Sequence, residues 1–362
     1  AEGGIAQRLV NFARVLVGPI PGGMALINIV TSMLFGGVSG SAVADVSATG
    51  SILIPAMRGQ GYDDDYSVAV TVAGSTQGII IPPSHNAIIY SLAAGGVSIG
   101  GLFLAGYIPG AMIGLALMAV SIAIAMRRSY PAVPRPPLTE SLKTTLAVLP
   151  GLAVGFIIVG GIVFGFFTAT ESGAIGVWAA LIASLLIYRE LTWAKAWRIL
   201  VQSVRSIAIV TLLIATASAF AWLMAFLDIP STLAHGLLSL SHDRITQMLI
   251  INVMVLALGA VMDMAPLILI LTPVLLPIVT APPISMDPVQ FGIILLMNLA
   301  IGLTTPPVGT ALFVGCAIGE ARIEDVSRAM VFFWPVMVGV LLLVTYVPWF
   351  IHVLPSLVGS TP

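Results

Sequence analysis

The chain has 362 residues, of which 59% are hydrophobic and only 8% charged, against about 25% charged in a soluble globular domain. With 14 basic and 15 acidic residues and a mean hydropathy of +1.10, it carries no basic face for phosphates, which excludes a nucleic-acid partner, and too little charge for a soluble enzyme or a disordered chain. A single cysteine, Cys316, excludes an intrachain disulfide framework and a cysteine-based zinc site; what is left is an all-α polytopic membrane protein sitting in a phospholipid bilayer.

Residues 1–23 open with Ile5, Leu9, Phe12 and Leu16 at helical spacing and Gln7, Arg8, Asn11 and Arg14 elsewhere, which predicts an interfacial helix. Residues 1–20 show no signal-peptide pattern, and further scaffold sequence is expected upstream of Ala1. Residues 24–57 form an apolar stretch with a polar, glycine-rich centre, Gly36-Gly37-Val38-Ser39-Gly40-Ser41, and predict a re-entrant hairpin. The acidic run Asp63-Asp64-Asp65 reads as a solvated turn and helix start. Segment 66–95 is long enough to span but contains Gly78 and Pro82-Pro83. A double proline removes two backbone donors and disfavours helix before it, so two half-helices with an unwound middle are expected.

Segments 100–126, 144–167, 169–188 and 206–227 are plain spans of about 20 apolar residues or more, and Glu171 is placed to act at a helix N-terminus. Segment 190–205 cannot span: Lys195, Arg198, Gln202 and Arg205 mark one polar face, predicting an amphipathic arm on the cytoplasmic surface. A second hairpin is expected over 246–279, around Gly259 to Pro266. A second broken helix follows over 289–319, with Gly302 and Pro306-Pro307, and a last plain span over 329–353. Placing the 127–143 loop in the cytoplasm puts thirteen of the fourteen basic residues on that side and leaves only Arg244 outside, as the positive-inside rule demands.

The hairpin and broken-helix pair occurs twice. At an offset of 224, Gly78, Pro82, Pro83, Ala87, Gly95, Ile99 and Ala105 meet Gly302, Pro306, Pro307, Ala311, Gly319, Ile323 and Ala329; at 218, Asp45 and Pro55 meet Asp263 and Pro273. Five crossings separate the copies, so the second is expected upside-down, the architecture of secondary transporters. The organisation expected is an N-terminal scaffold helix (1–23), repeat one (24–99), scaffold and connecting helices (100–245), repeat two (246–321) and a C-terminal scaffold helix (322–362).

Helix ends freed at the breaks offer carbonyls and hydroxyls to a hard cation and N–H groups to a carboxylate. The expected sodium ligands are Ser39, Gly40, Ser41, Gly78 and Pro82 in repeat one, and Gly259, Asp263, Gly302, Thr304 and Thr305 in repeat two. Substrate contacts are expected from Ser41, Asp45, Ser84, His85, Asn86, Gly309 and Thr310. Na⁺ is the coupling ion on this reading, and no catalytic residue is expected.

The stretches FGGVSGSAVADVSATGSILIPAMRGQGY (35–62), GIIIPPSHNAIIYSLAAGG (78–96), LFLAGYIPG (102–110), DMAPLILILTPVLLPI (263–278) and GLTTPPVGTALFV (302–314) resemble the large membrane subunit of tripartite ATP-independent periplasmic (TRAP) transporters. The resemblance covers essentially the whole chain. It implies an elevator-type symporter of the bacterial inner membrane, driven by sodium and taking up an organic acid such as a C4-dicarboxylate or sialic acid. It also implies a small membrane (Q) subunit and a periplasmic substrate-binding protein as partners. Two other readings are a stand-alone sodium/dicarboxylate symporter and a rhomboid-like intramembrane serine protease, the latter because Gly37-Val38-Ser39-Gly40 matches G-x-S-G with His85 downstream.

Overall fold

The computed structural model describes residues 4–229, 232, 233, 236, 241 and 243–358, and the regular elements among them are all helical. α1 (Ile5–Val17) is the expected amphipathic helix and buries Ile5, Ala6, Leu9, Val10 and Ala13. α2 (Gly23–Ser39) and α3 (Ala42–Arg58) form the first hairpin, turned by Gly40 at φ 61 and capped by Ser41, whose hydroxyl accepts from the Ala44 N–H. α4 (Asp64–Ser75) and the single turn α5 (Gln77–Ile80) lead into an unwound stretch over the double proline, and α6 (His85–Ala93) resumes behind the Ser84 cap.

Four long helices come next: α7 (Ile99–Arg128), α8 (Leu138–Val163), α9 (Ala169–Ile182), which continues as a π-turn over Ala183–Ile187, and α10 (Trp193–Phe226). All four are long and apolar enough to cross a membrane. The same sequence of elements then recurs. α11 (Arg244–Gly259) and α12 (Met264–Thr280) make the second hairpin. α13 (Pro288–Gly302) and α14 (Thr310–Gly319) flank the second unwound stretch. α15 (Ile323–Met330), α16 (Trp334–Tyr346) and α17 (Trp349–Leu357) close the chain.

The core runs through both hairpins and both broken helices. α13 is buried along its whole length, whereas α10 is almost wholly exposed within this chain. Each hairpin is tied to its own broken helix by a buried amide: Asn28 on α2 donates to Thr71 on α4 at 2.6 Å, and Asn298 on α13 donates to Asn252 on α11 at 2.7 Å. Buried side-chain hydrogen bonds of this kind join membrane helices that have no hydrophobic incentive to associate. The second arms cross over: α3 packs on α14, and α12 packs on α6.

Four expectations are corrected. The 190–205 arm is not a separate element. α10 runs unbroken for 34 residues, about 51 Å at 1.5 Å per residue, because no Gly or Pro interrupts it. The span expected over 329–353 is not one helix: α15 and α16 meet at 50° and a further break precedes α17, at Pro335 and Pro348, which cannot continue the ladder. The acidic run does start α4, but Asp63 is tied rather than merely solvated. It takes Arg128 at 2.5 Å and the Tyr130 hydroxyl at 2.6 Å, while Asp64 takes Arg58 at 2.6 Å.

The hairpin register also changes. α3 and α12 are both 17 residues long and start 222 residues apart. Ser41 therefore corresponds to Asp263, both being N-caps, and Pro55 to Pro277. Asp45 lies one turn inside α3, opposite buried Leu267 rather than opposite Asp263.

Candidate transport site

At the first tip, backbone meets backbone. A Cβ on Gly36 would fall 2.1 Å from the Gly78 Cα, so α2 reaches the broken helix only because both residues are glycine. A Cβ on Gly40 would fall 3.0 Å from the His85 nitrogen and 3.2 Å from the Pro83 carbonyl oxygen. The Asn86 amide donates to the Gly40 carbonyl at 3.3 Å, and Ser84 caps α6 through the Ala87 N–H. The turn Ser39-Gly40-Ser41 is thereby stitched to the stretch from Pro82 to Asn86. Two half-helix N-termini, those of α3 and α6, begin side by side there, the arrangement that favours an anion.

Beneath this tip lies a polar patch that the sequence reading did not assemble. Asp45 is fully buried, and both of its carboxylate oxygens lack a hydrogen-bond partner. The Ser32 and Thr49 hydroxyls lie beside it, and Ser32 Oγ, Thr31 Oγ1 and Asn28 Oδ1 are buried without partners as well. An ionised carboxylate so placed must be compensated by a cation or neutralised by a proton. The donors are all oxygen, which suits a hard monovalent cation rather than a transition metal. Among the described residues no group of three or more His, Cys, Asp or Glu side chains is placed to hold a metal ion. Asn28, Thr31 and Ser32 are legible in the sequence only as polar interruptions of α2; the approach of Ser32 to Asp45 depends on the hairpin closing.

The second tip repeats the backbone approach and differs in its chemistry. A Cβ on Gly302 would fall 2.5 Å from the Gly259 carbonyl carbon. The Ala260 carbonyl accepts from the Val308 N–H at 3.0 Å and the Gly309 N–H at 3.5 Å, tying tip to break. Asp263 occupies the N-cap position of α12 without a side-chain cap bond, and its carboxylate accepts instead from the Thr310 hydroxyl at 3.3 Å. Unlike Asp45, it is exposed, as are the neighbouring Val261 and Met262. Thr305 donates to the Ile301 carbonyl. Thr304 is fully buried, donates to the Ile301 carbonyl at 2.7 Å and accepts from the Trp334 indole at 3.2 Å. Gly78, Gly259 and Gly302 serve here as points of close approach.

The two tips face one another. His85 lies exposed at the start of α6, against the Gly40 backbone and near enough to Asp263 to feel its charge. Ser41, Ser84, His85, Asn86, Asp263, Gly309 and Thr310 are thus gathered about the two tips, while Asp45 sits beneath them.

Residues 1–350 match the family model for the DctM component of tripartite ATP-independent periplasmic transporters. The chain belongs to this family. Over 98% of its length it is 44% identical to the uncharacterized protein YgiK of Salmonella typhimurium, covering 81% of that protein. It is 40% identical over 96% of its length to the isethionate TRAP transporter permease protein DctMQ of Oleidesulfovibrio alaskensis, of which it spans 54%. It is 37% identical over 98% of its length to the sialic acid TRAP transporter large permease protein SiaM of Vibrio cholerae, covering 82% of that protein. As a DctM-family protein it is a multi-pass membrane transporter component, which replaces both the stand-alone symporter and the protease readings. The protease reading also fails on geometry: Ser39 Oγ accepts from the Ser41 N–H at 3.5 Å and the His85 ring is turned to Gly40, so no Ser–His dyad forms.

Proposed function

We propose that this DctM-family chain is the large permease of a TRAP transporter that couples sodium entry to uptake of an organic acid across the bacterial inner membrane. The names of its relatives specify sialic acid, C4-dicarboxylates, isethionate and 2,3-diketo-L-gulonate, all organic anions. An anion suits the paired N-termini of α3 and α6. In this reading Ser41, Ser84, His85, Asn86, Gly309 and Thr310 meet the solute. Sodium binds at each tip: in repeat one the ligands are Ser39, Gly40, Ser41, Pro82 and the buried Asp45, and in repeat two Asp263, Thr305 and the freed carbonyls of the break.

The observation that carries the proposal is the crossed packing of α3 on α14 and α12 on α6, the pattern that two inverted copies about a shared axis would produce. The moving body of an elevator would comprise α2–α7 and α11–α17, since α7 packs on α2, α5, α13, α16 and α17. This extends the mobile unit beyond 24–99 and 246–321. α1 and α8–α10 form the scaffold that carries the small Q subunit, and a periplasmic binding protein delivers the solute. The test is uptake in liposomes by the chain with its Q subunit and binding protein under a switchable sodium gradient. Uptake that follows the gradient supports the proposal, and uptake indifferent to sodium refutes the coupling.

A further inference from the structure

One scaffold helix reaches into the first tip. A Cβ on Gly155 of α8 would fall 2.9 Å from the Gly37 carbonyl oxygen and 3.9 Å from Pro83 Cδ. α8 therefore meets the hairpin-one tip backbone to backbone at Gly37, with the Pro83 ring of the break at the edge of contact. No side-chain hydrogen bond and no charge tie the tip to α8 at this point; one to two turns away Val148 and Leu152 of α8 share an apolar cluster with Leu34 and Phe35 of α2, so the contact is one end of an apolar, unbonded interface. It differs in kind from the Gly36–Gly78 approach, which lies within one body.

The same helix carries a side chain inserted into its backbone ladder just before this contact. Pro150 has no N–H, and in the next position the Gly151 N–H donates to the Tyr188 hydroxyl at 2.9 Å, while that hydroxyl donates on to the Ala147 carbonyl at 3.0 Å. A group inserted between N–H and carbonyl opens a helix locally and sets its bend. Tyr188 follows the π-turn that ends α9, and its ring is held from α1. The Arg8 guanidinium stacks 4.0 Å from the ring centroid and pairs with Glu190 at 2.7 Å.

We infer that Gly155 is a seat on which the hairpin-one tip bears in one transport state only, and that the Arg8–Tyr188 clasp is a positioning device that sets the bend of α8 and so places the seat. The inference rests on the elevator reading above. A methyl group at 155 penalises the seated state and leaves the unseated one untouched. Removing the Tyr188 hydroxyl lets the Gly151 N–H close directly on the Ala147 carbonyl, which straightens α8 and withdraws the seat.

The experiment measures pulsed-EPR distances between spin labels on Gln60→Cys, beside hairpin one, and Glu140→Cys, at the start of α8. It uses a Cys316→Ser background, with the chain assembled with its Q subunit in lipid. Wild type is expected to show two distances whose ratio responds to sodium. Gly155→Ala is expected to shift that ratio about tenfold toward the unseated state, since overfilling a tight contact costs on the order of 1.4 kcal/mol. Tyr188→Phe, which adds no atom at the seam and carries the test if Gly155→Ala fails to assemble, is expected to shift it the same way. A single wild-type distance at all sodium concentrations overturns the elevator reading itself. Two distances with a ratio that neither variant moves overturn the seat and clasp alone.

Discussion

The two hairpin tips share a backbone and differ in chemistry. Both use a glycine pair to bring hairpin and break together, Gly36 with Gly78 and Gly259 with Gly302, and in both an N-cap residue opens the second arm, Ser41 in one and Asp263 in the other. Yet the first tip is roofed by α8 and stands over a buried, unpartnered carboxylate, while the second is open and keeps its carboxylate at the surface. Repetition supplies the scaffold of a site, and single substitutions at matched positions then divide the work. Opposite Asp45 stands Leu267, so the buried charge belongs to one repeat alone.

The comparison breaks most severely at the glycines. Gly36→Val and Gly302→Val are each expected to abolish assembled protein in membranes, since the added atoms have only backbone to displace; normal yield in size-exclusion of either variant would contradict the close approach. The next effect separates the carboxylates. Asp45→Asn is expected to lower sodium-driven uptake at least tenfold and, measured without sodium, to raise the melting temperature, because without the cation the carboxylate is a buried charge that nothing neutralises. Asp263→Ala, at the open tip, is expected to abolish uptake while leaving melting almost unchanged. Equal effects on melting from the two variants would erase the distinction.

A smaller effect distinguishes the threonines of the second break. Thr304→Val is expected to cost about 1 kcal/mol of stability, through the lost Trp334 bond, with an unchanged sodium dependence. Thr305→Val is expected to raise the sodium concentration for half-maximal uptake. The opposite pattern would move the ion site inward. The smallest effect lies away from both tips. Glu171 completes a capping box with Thr168 at the start of α9, its carboxylate accepting from the Thr168 N–H and hydroxyl. Glu171→Ala is expected to melt slightly below wild type, as the loss of a helix-capping contact does; a melting temperature unchanged from wild type would leave the box without a stabilising role.

Most breaks were legible because Pro and Gly announce them locally. The double prolines, the Gly40 turn and the Thr168-Glu171 box were all in place where their residue types required. The misreadings came where local signals competed or were tertiary. Pro273 and Pro277 both offer a partner for Pro55, and choosing the first shifted the register by a turn and matched Asp45 to the wrong residue. The last span looked continuous because Pro335 and Pro348 lie singly in apolar sequence. The bond from the Trp334 indole to Thr304, thirty residues back, has no local signal at all. The Asp45 patch and the Tyr188 insertion join segments that no spacing rule connects.

The central claim is that the two repeats lie upside-down to one another, and sided labelling tests it most directly. In a Cys316→Ser background, cysteines at Gln60, after the first hairpin, and at Ala281, after the second, are treated with a membrane-impermeant maleimide from one face at a time. The account predicts that Gln60→Cys reacts only from the cytoplasm and Ala281→Cys only from the opposite face; reaction of both from the same face would contradict it.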